Sequence, residues 1–161
     1  MTDPDAANEA VRTSIDRDTA SATGVVAAPV AEVFDFIRRP ANHAAISGDG
    51  SVQGETGGAR VLGSGDRFGM KMRIGLPYQV GSKVVEFEEN RLIAWAHFSG
   101  HRWRWQLEPL DDGRTRVTET FDLSTARLPI ALRLVGLPKG HENNLRKSVA
   151  NVIAHFARSG V

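Results

Sequence analysis

The order of apolar patterns along the chain restricts the fold more than any single motif. One strand and one short helix come first, a long run of alternating strands fills the middle, and one amphipathic helix closes the chain. Ser21–Ala27 reads as the first strand and leads directly into Pro29–Ile37, where Val30, Val33, Phe34 and Ile37 fall at i, i+3, i+4 and i+7 on one helical face. Pro29 suits a first turn, and Pro40 stops the helix. A second short helical turn is expected around Asn42–Ile46. Strand patterns then occupy Val52 to Leu123, and Glu142–Arg158 reads as a long helix with Leu145, Val149, Val152, Ile153 and Phe156 on one face. The expected class is α+β: a curved antiparallel sheet of six or seven strands wrapped around the C-terminal helix. A sheet bent in that way leaves a space between itself and the helix, and function would reside there.

Glycine supplies the curvature argument. Nine of the sixteen glycines lie between Gly48 and Gly75, and glycine inside strands marks bulges, bends and close backbone approach. Within this region Phe68, Met70, Met72 and Ile74 alternate with Gly69, Lys71, Arg73 and Gly75, an apolar face opposite a basic one. Gln79–Glu88, Leu92–Ser99 and Arg102–Pro109 follow as strands, Asp111-Asp112-Gly113 makes a turn, and Thr115–Leu123 is the last strand.

Composition removes several functions. With 161 residues and 41% hydrophobic content the chain suits one domain with a real core. A net charge of +1 provides no global field for nucleic acid or acidic membranes. There is no cysteine, so disulfides, thiolate metal sites and cysteine catalysis are excluded. No apolar run reaches the roughly 18 residues of a membrane helix, and the N-terminus lacks the pattern of a secretory signal. A cytoplasmic protein, monomeric or a homodimer, is the expectation. Residues 1–22 carry five acids against Arg12 and Arg17 and few large aliphatics, so they read as a flexible acidic tail, with a short helix around Glu9–Ile15 as the other reading, before a single domain over 23–161.

The residues Val26-Ala27-Ala28-Pro29-Val30-Ala31-Glu32-Val33-Phe34-Asp35-Phe36-Ile37, with Gly65-Asp66-Arg67-Phe68, Glu86-Phe87-Glu88 through Leu92-Ile93-Ala94-Trp95, and Asp111–Glu119, carry a resemblance. In them the chain resembles the START-like or SRPBCC superfamily, of the polyketide cyclase/dehydrase and lipid-transport kind, over about Thr23 to Arg158. The resemblance implies the helix-grip fold and a deep apolar cavity between sheet and long helix. It carries over no universal catalytic residue, since members range from aromatase/cyclases to plain ligand carriers, so chemistry has to be argued from the site.

Trp103 and Trp105 lie two apart on one strand and face the same way, either as a cavity wall or as packing under the helix. Whether Trp95 and His97 join them depends on the preceding turn. A two-residue turn at Gly100-His101 pairs Phe98 with Trp103 and puts Trp95 and His97 outside. A three-residue turn at Ser99-Gly100-His101 pairs His97 with Trp103 and Trp95 with Trp105. The second avoids an outward tryptophan and is favoured. His97 is then the best cavity acid/base by its near-neutral pKa, and Glu119, between Val117 and Phe121, is a carboxylate on an apolar face that needs a partner or a raised pKa. For both, a purely structural hydrogen bond is the competing reading. Tyr78 places a hydroxyl either at the cavity rim or in a turn.

Leu128–Pro138 is an apolar run bracketed by prolines that reads as a segment bordering the cavity, in preference to an ordinary packed connection or a patch that meets membrane lipid. Lys71, Arg73, Arg102 and Arg104 read as a solvated basic stripe on the outer sheet face. His141-Glu142-Asn143-Asn144 lacks the histidine at 145 of a zinc-protease signature, and the five histidines show no metal spacing. No metal or cofactor is expected. The function expected is binding of one hydrophobic small molecule, lipid-like or polyketide-like. Phe68, Met70, Met72, Trp95, Trp103 and Trp105 would supply apolar wall, while Tyr78, His97 and Glu119 orient a polar end. The alternative is an aromatase/cyclase-dehydratase-type enzyme with His97 and Glu119 as its acid/base pair.

Overall fold

The computed structural model describes residues 10–160. Eight strands form one antiparallel sheet: β1 Arg12–Ile15, β2 Thr19–Val26, β3 Val52–Glu55, β4 Arg67–Ile74, β5 Leu76–Glu88, β6 Leu92–Ala96, β7 Arg102–Pro109 and β8 Thr115–Asp122. Their spatial order is β1-β2-β8-β7-β6-β5-β4-β3. Four helices accompany them: α1 Val30–Ile37, α2 His43–Ile46, α3 Pro129–Leu134 and α4 Glu142–Ser159, with single 3₁₀ turns at Pro40–Asn42 and Lys139–His141. The α+β helix-grip expectation holds, with one strand more than the upper count.

The extra strand is β1, which lies where a flexible tail was expected. Its own sequence, Arg-Thr-Ser-Ile, has little to bury, but its backbone pairs with β2 from Arg12↔Thr23 to Ile15↔Ala20. Thr13 donates to Glu142 of α4 at 2.7 Å, and Asp18 forms an ion pair with Arg133. Sheet pairing and long-range polar contacts therefore order residues 12–22, which the apolar-burial argument overlooked. Residues 1–9 of the expected tail lie outside the described residues.

Small residues decide where α4 docks. The inner face of β2 consists of Ala20, Ala22, Gly24 and Val26, all buried. A Cβ on Gly24 would sit 2.7 Å from Ile153 Cδ1 and 3.0 Å from Val149 Cγ1, so the side chains of α4 pack directly on the backbone of the strand. Gly48, in the loop after α2, meets the helix more tightly still: its Cβ would lie 2.2 Å from the Asn144 carbonyl oxygen. Leu145, Val149 and Val152 complete this half of the core with Val33, Phe34, Ile37 and Val117.

The sheet bends through β5. A bulge falls between Val84 and Glu86, so Val84 and Phe87 both reach the inner side despite their odd spacing. Phe87 meets the edge of Phe34 at 5.8 Å between ring centroids, which ties α1 to the bend. On the outer face the expected basic stripe is divided. Arg104 bonds both Glu86 and Asp122, and Arg102 bonds Glu86, so these two arginines belong to a half-buried ion network. Lys71 and Arg73 are exposed, as read from the sequence. Among the described residues no helix is long and apolar enough to cross a membrane.

Candidate functional site

The interior between β4–β8 and the start of α4 is not filled. A cavity of about 420 Å³ remains there, within the ~300–1,000 Å³ usual for small-molecule sites. All nine residues singled out as wall or polar contacts line it: Phe68, Met70, Met72, Tyr78, Trp95, His97, Trp103, Trp105 and Glu119.

The register that brings the tryptophans together differs from both turns considered. Strand β6 ends at Ala96, five residues connect it to β7, and Trp95 pairs with Trp103, not with Trp105. Trp105 pairs instead with Ile93 on one side and Glu119 on the other. The longer loop shifts the pairing by two, and an even shift leaves every side chain on its face. Trp95 therefore points inward as favoured, but against a different neighbour. Tyr78 lies within β5, opposite Met72, because β5 begins at Leu76 after a tight turn at Gly75. That turn needs φ +73° at Gly75, a conformation that a side chain disfavours.

Aromatic side chains form two contiguous groups along the wall. His43 stacks on Trp95 at 4.8 Å, and Phe68 meets both rings edge-on. Trp103, Phe121, His101 and His141 form the second group, with Phe121 within 5.2 Å of each of the others and His97 5.1 Å from His101. Four of the five histidines of the chain thus face one cavity. Sequence reasoning missed His43, His101 and His141 as wall residues, together with Asp49, Phe121, Asn144 and Ser148. Phe121 shares the parity of Glu119 and was within reach of the pattern. His141, Asn144 and Ser148 repeat at three and four residues, a polar continuation of the apolar face of α4.

Burial keeps these histidines neutral. His43 donates its Nε2 proton to the Ile37 carbonyl at 2.8 Å, and burial lowers its pKa to about 4. His97 falls to about 4 as well, through burial and the neighbouring His101, while its Nδ1 shares a hydrogen bond of 2.9 Å with Ser82. His101 and His141 are also lowered, each chiefly by burial.

The carboxyl groups divide. Burial pushes Asp49 up, but hydrogen bonds from Ser51 and Ser47 outweigh it and leave the group below its usual value. Glu119 goes the other way: burial carries it well above the carboxylate range, opposed by the Ser148 hydroxyl and reinforced by the charge of Asp49. One Glu119 oxygen, Oε2, is buried with no hydrogen-bond partner, and so is Asn144 Oδ1 one helical turn from Ser148. An unpartnered buried carboxyl oxygen is costly and is better tolerated in the acid form. Among the described residues no group of three or more histidines and acids has the geometry of a metal site.

Comparison with known proteins agrees with this architecture. The family described as polyketide cyclase/dehydrase and lipid transport matches residues 17–157. The uncharacterized protein Rv0088 of Mycobacterium tuberculosis is 37% identical over 138 residues, 83% of this chain and 62% of its own length. The chain thus spans about three-fifths of that curated relative. Among solved structures, NE0264 of Nitrosomonas europaea superposes with a TM-score of 0.69 at 15% identity, over 91% of this chain and 99% of its own. An AHSA1-like protein from Aeromonas hydrophila gives 0.54 at 20% identity, over 84% and 93%. These two likenesses concern the fold alone. With the family match running from the start of β2 almost to the end of α4, the chain belongs to the polyketide cyclase/dehydrase and lipid transport family.

Proposed function

We propose that the protein encloses one hydrophobic small molecule, lipid-like or polyketide-like, in this cavity. The observation that carries the reading is the unfilled volume of about 420 Å³ walled by tryptophan, phenylalanine and methionine. Methionines Met70 and Met72 adapt to the outline of a ligand, and the flat rings of Trp95 and Trp103 suit a planar or extended apolar body. Glu119, with a buried oxygen that has no partner, would receive the polar end. In its acid form it donates to a carbonyl or hydroxyl of the ligand and disfavours an anionic one beside Asp49. Native mass spectrometry of the purified protein, followed by thermal shift with fatty alcohols, sterols and flat polyaromatics, tests this. A bound mass or a stabilising ligand is expected, with neutral ligands exceeding the matched fatty acids. Glu119→Gln should keep a neutral ligand within about fivefold, whereas Trp103→Ala should weaken it by about tenfold or more. Empty protein that no apolar compound stabilises would sink the reading.

An acid/base enzyme of the aromatase/cyclase-dehydratase kind is the second reading, favoured by one fact: His97 and Glu119 stand on the same cavity wall. A base would take a proton from carbon alpha to a ketone, the enolate carbon would attack a second ketone of the same chain, and the oxygen of that second ketone would take up a proton as a hydroxyl. Loss of a second alpha proton to the base, with protonation of that hydroxyl by the acid, then releases water and leaves a C=C bond. The burial of His97 weighs against it. A histidine near 4 is a weak base at neutral pH, and general catalysis works best with groups matched to that pH. Loss of water from a linear poly-ketone incubated with the protein, abolished by His97→Phe, would favour the enzyme.

A further inference from the structure

The open side of the cavity is bordered by three separate segments that share an unusual composition. Residues 67–85, 90–107 and 123–141 contain no aspartate or glutamate, in a chain that has 19 acids. Their tips expose large apolar side chains: Ile74 and Leu76 at the β4–β5 turn, Phe98 in the β6–β7 loop, Leu128 just before α3, and Ile130 and Leu134 on α3 are 68–83% exposed. Ile74 and Phe98 also line the cavity, so the greasy rim and the cavity mouth are continuous. The β6–β7 loop is tied to the α3 segment by Arg127 N–H donating to the Ser99 carbonyl at 2.8 Å and by the Thr125 hydroxyl donating to the Gly100 carbonyl at 2.8 Å.

Cations flank these tips. Arg133 is used by Asp18, and Arg102 and Arg104 by Glu86. Lys71, Arg73, Arg127 and Lys139 form no ion pair with any described residue. Apolar tips on several loops with unpaired cations around them and no acids among them match a bilayer interface bearing negative headgroups: the side chains enter the acyl boundary while the cations stay at headgroup level. From this charge complementarity, and from the continuity of rim and cavity, we infer that the mouth docks on anionic lipid membranes. A hydrophobic molecule could then pass between bilayer and cavity without crossing water. The docking surface stands apart from the ligand reading, because it rests on exposure and charge and not on what fills the cavity.

Co-sedimentation of the full chain with vesicles of phosphatidylcholine alone, and of phosphatidylcholine mixed with phosphatidylglycerol, tests it. Binding is expected only to the mixed vesicles and should fade as salt is raised. Lys139→Glu and Arg127→Glu should each weaken it about fivefold or more. The pair Ile130→Glu with Leu134→Glu should weaken it about tenfold or more. All four side chains are on the described surface, and melting curves would register any loss of fold. Arg116→Glu, on a β8 residue paired with Glu108, should bind like the wild type. Wild-type protein left in the supernatant with both vesicles, or rim variants that bind unchanged, would overturn the inference. So would a wild-type dimer in sedimentation velocity that Leu134→Glu splits, since the patch would then serve a second copy of this chain. A failed vesicle assay with a ligand found by mass spectrometry leaves the cavity reading intact, and the reverse separates the two as cleanly.

Discussion

The two halves of the interior obey the same strand alternation yet end differently. Where β1, β2 and β8 face α4, small residues on the strand admit the helix, and Ala20, Ala22, Val26, Val117, Leu145 and Val149 are completely buried. Where β4 to β7 and the Glu119–Phe121 end of β8 bend away, equally apolar residues face a cavity of about 420 Å³. The difference lies in the partner and not in the strands. Helix α4 packs against β1, β2, β8 and α2, and the curvature set by the β5 bulge carries the remaining strands away from it. That apolar face is left with no partner of its own.

Removing a side chain should be felt strongly in one half and weakly in the other. Leu145→Ala in the filled half should cost about 2–5 kcal/mol, read from urea unfolding. Met72→Ala, on a half-buried residue already next to open volume, should cost about 1 kcal/mol or less. Equal costs would mean that the cavity is not open in solution.

Acid should attack the hollow half through its histidines. His43 has a folded pKa of about 4 against an ordinary value of 6.5, so between those values the unfolded chain binds more protons than the folded one. Stability is fully present above 6.5 and is lost as pH falls towards 4, by about 3 kcal/mol for this one group. Glu119, shifted upward, acts in the opposite sense and costs stability as pH rises above the ordinary carboxylate range. His43→Phe should therefore flatten the acid limb of a melting-temperature profile. An unchanged limb would place the acid sensitivity elsewhere.

The smallest stability effect should come from filling the hollow. Val80→Phe, on the cavity wall, should change stability by less than about 1 kcal/mol, whereas Val149→Phe in the packed half should cost about 1–3 kcal/mol or more. Val80→Phe should nonetheless abolish binding of any ligand found by mass spectrometry. Retained binding would move the ligand out of this cavity.

Much of this was legible in the chain, for identifiable reasons. The period of two at Phe68, Met70 and Met72 and at Trp103 and Trp105 named the inner face, because alternation is a local property of a strand. The helical period named the face of α4 in the same way. Strand β1 was missed because its stability comes from pairing with β2 and from Glu142 of a helix 129 residues away. The Trp95 register was missed because loop length is decided by how the β6–β7 connection packs on residues 125–127, not by the two or three residues at its tip.

By itself the sequence determined the element order, the antiparallel α+β class, the inward face of nearly every strand and the residue types that wall the interior. These follow from side-chain periodicity and turn chemistry, which act over a few residues. Only the tertiary structure decided that the wall stays unfilled, that four histidines converge on it and that Glu119 keeps a buried oxygen without a partner. Volume and desolvation depend on distances between segments far apart in the chain. Those distances arise from how closely Gly24 and Gly48 let α4 approach and how far the bulge at Val84–Glu86 turns the sheet from it.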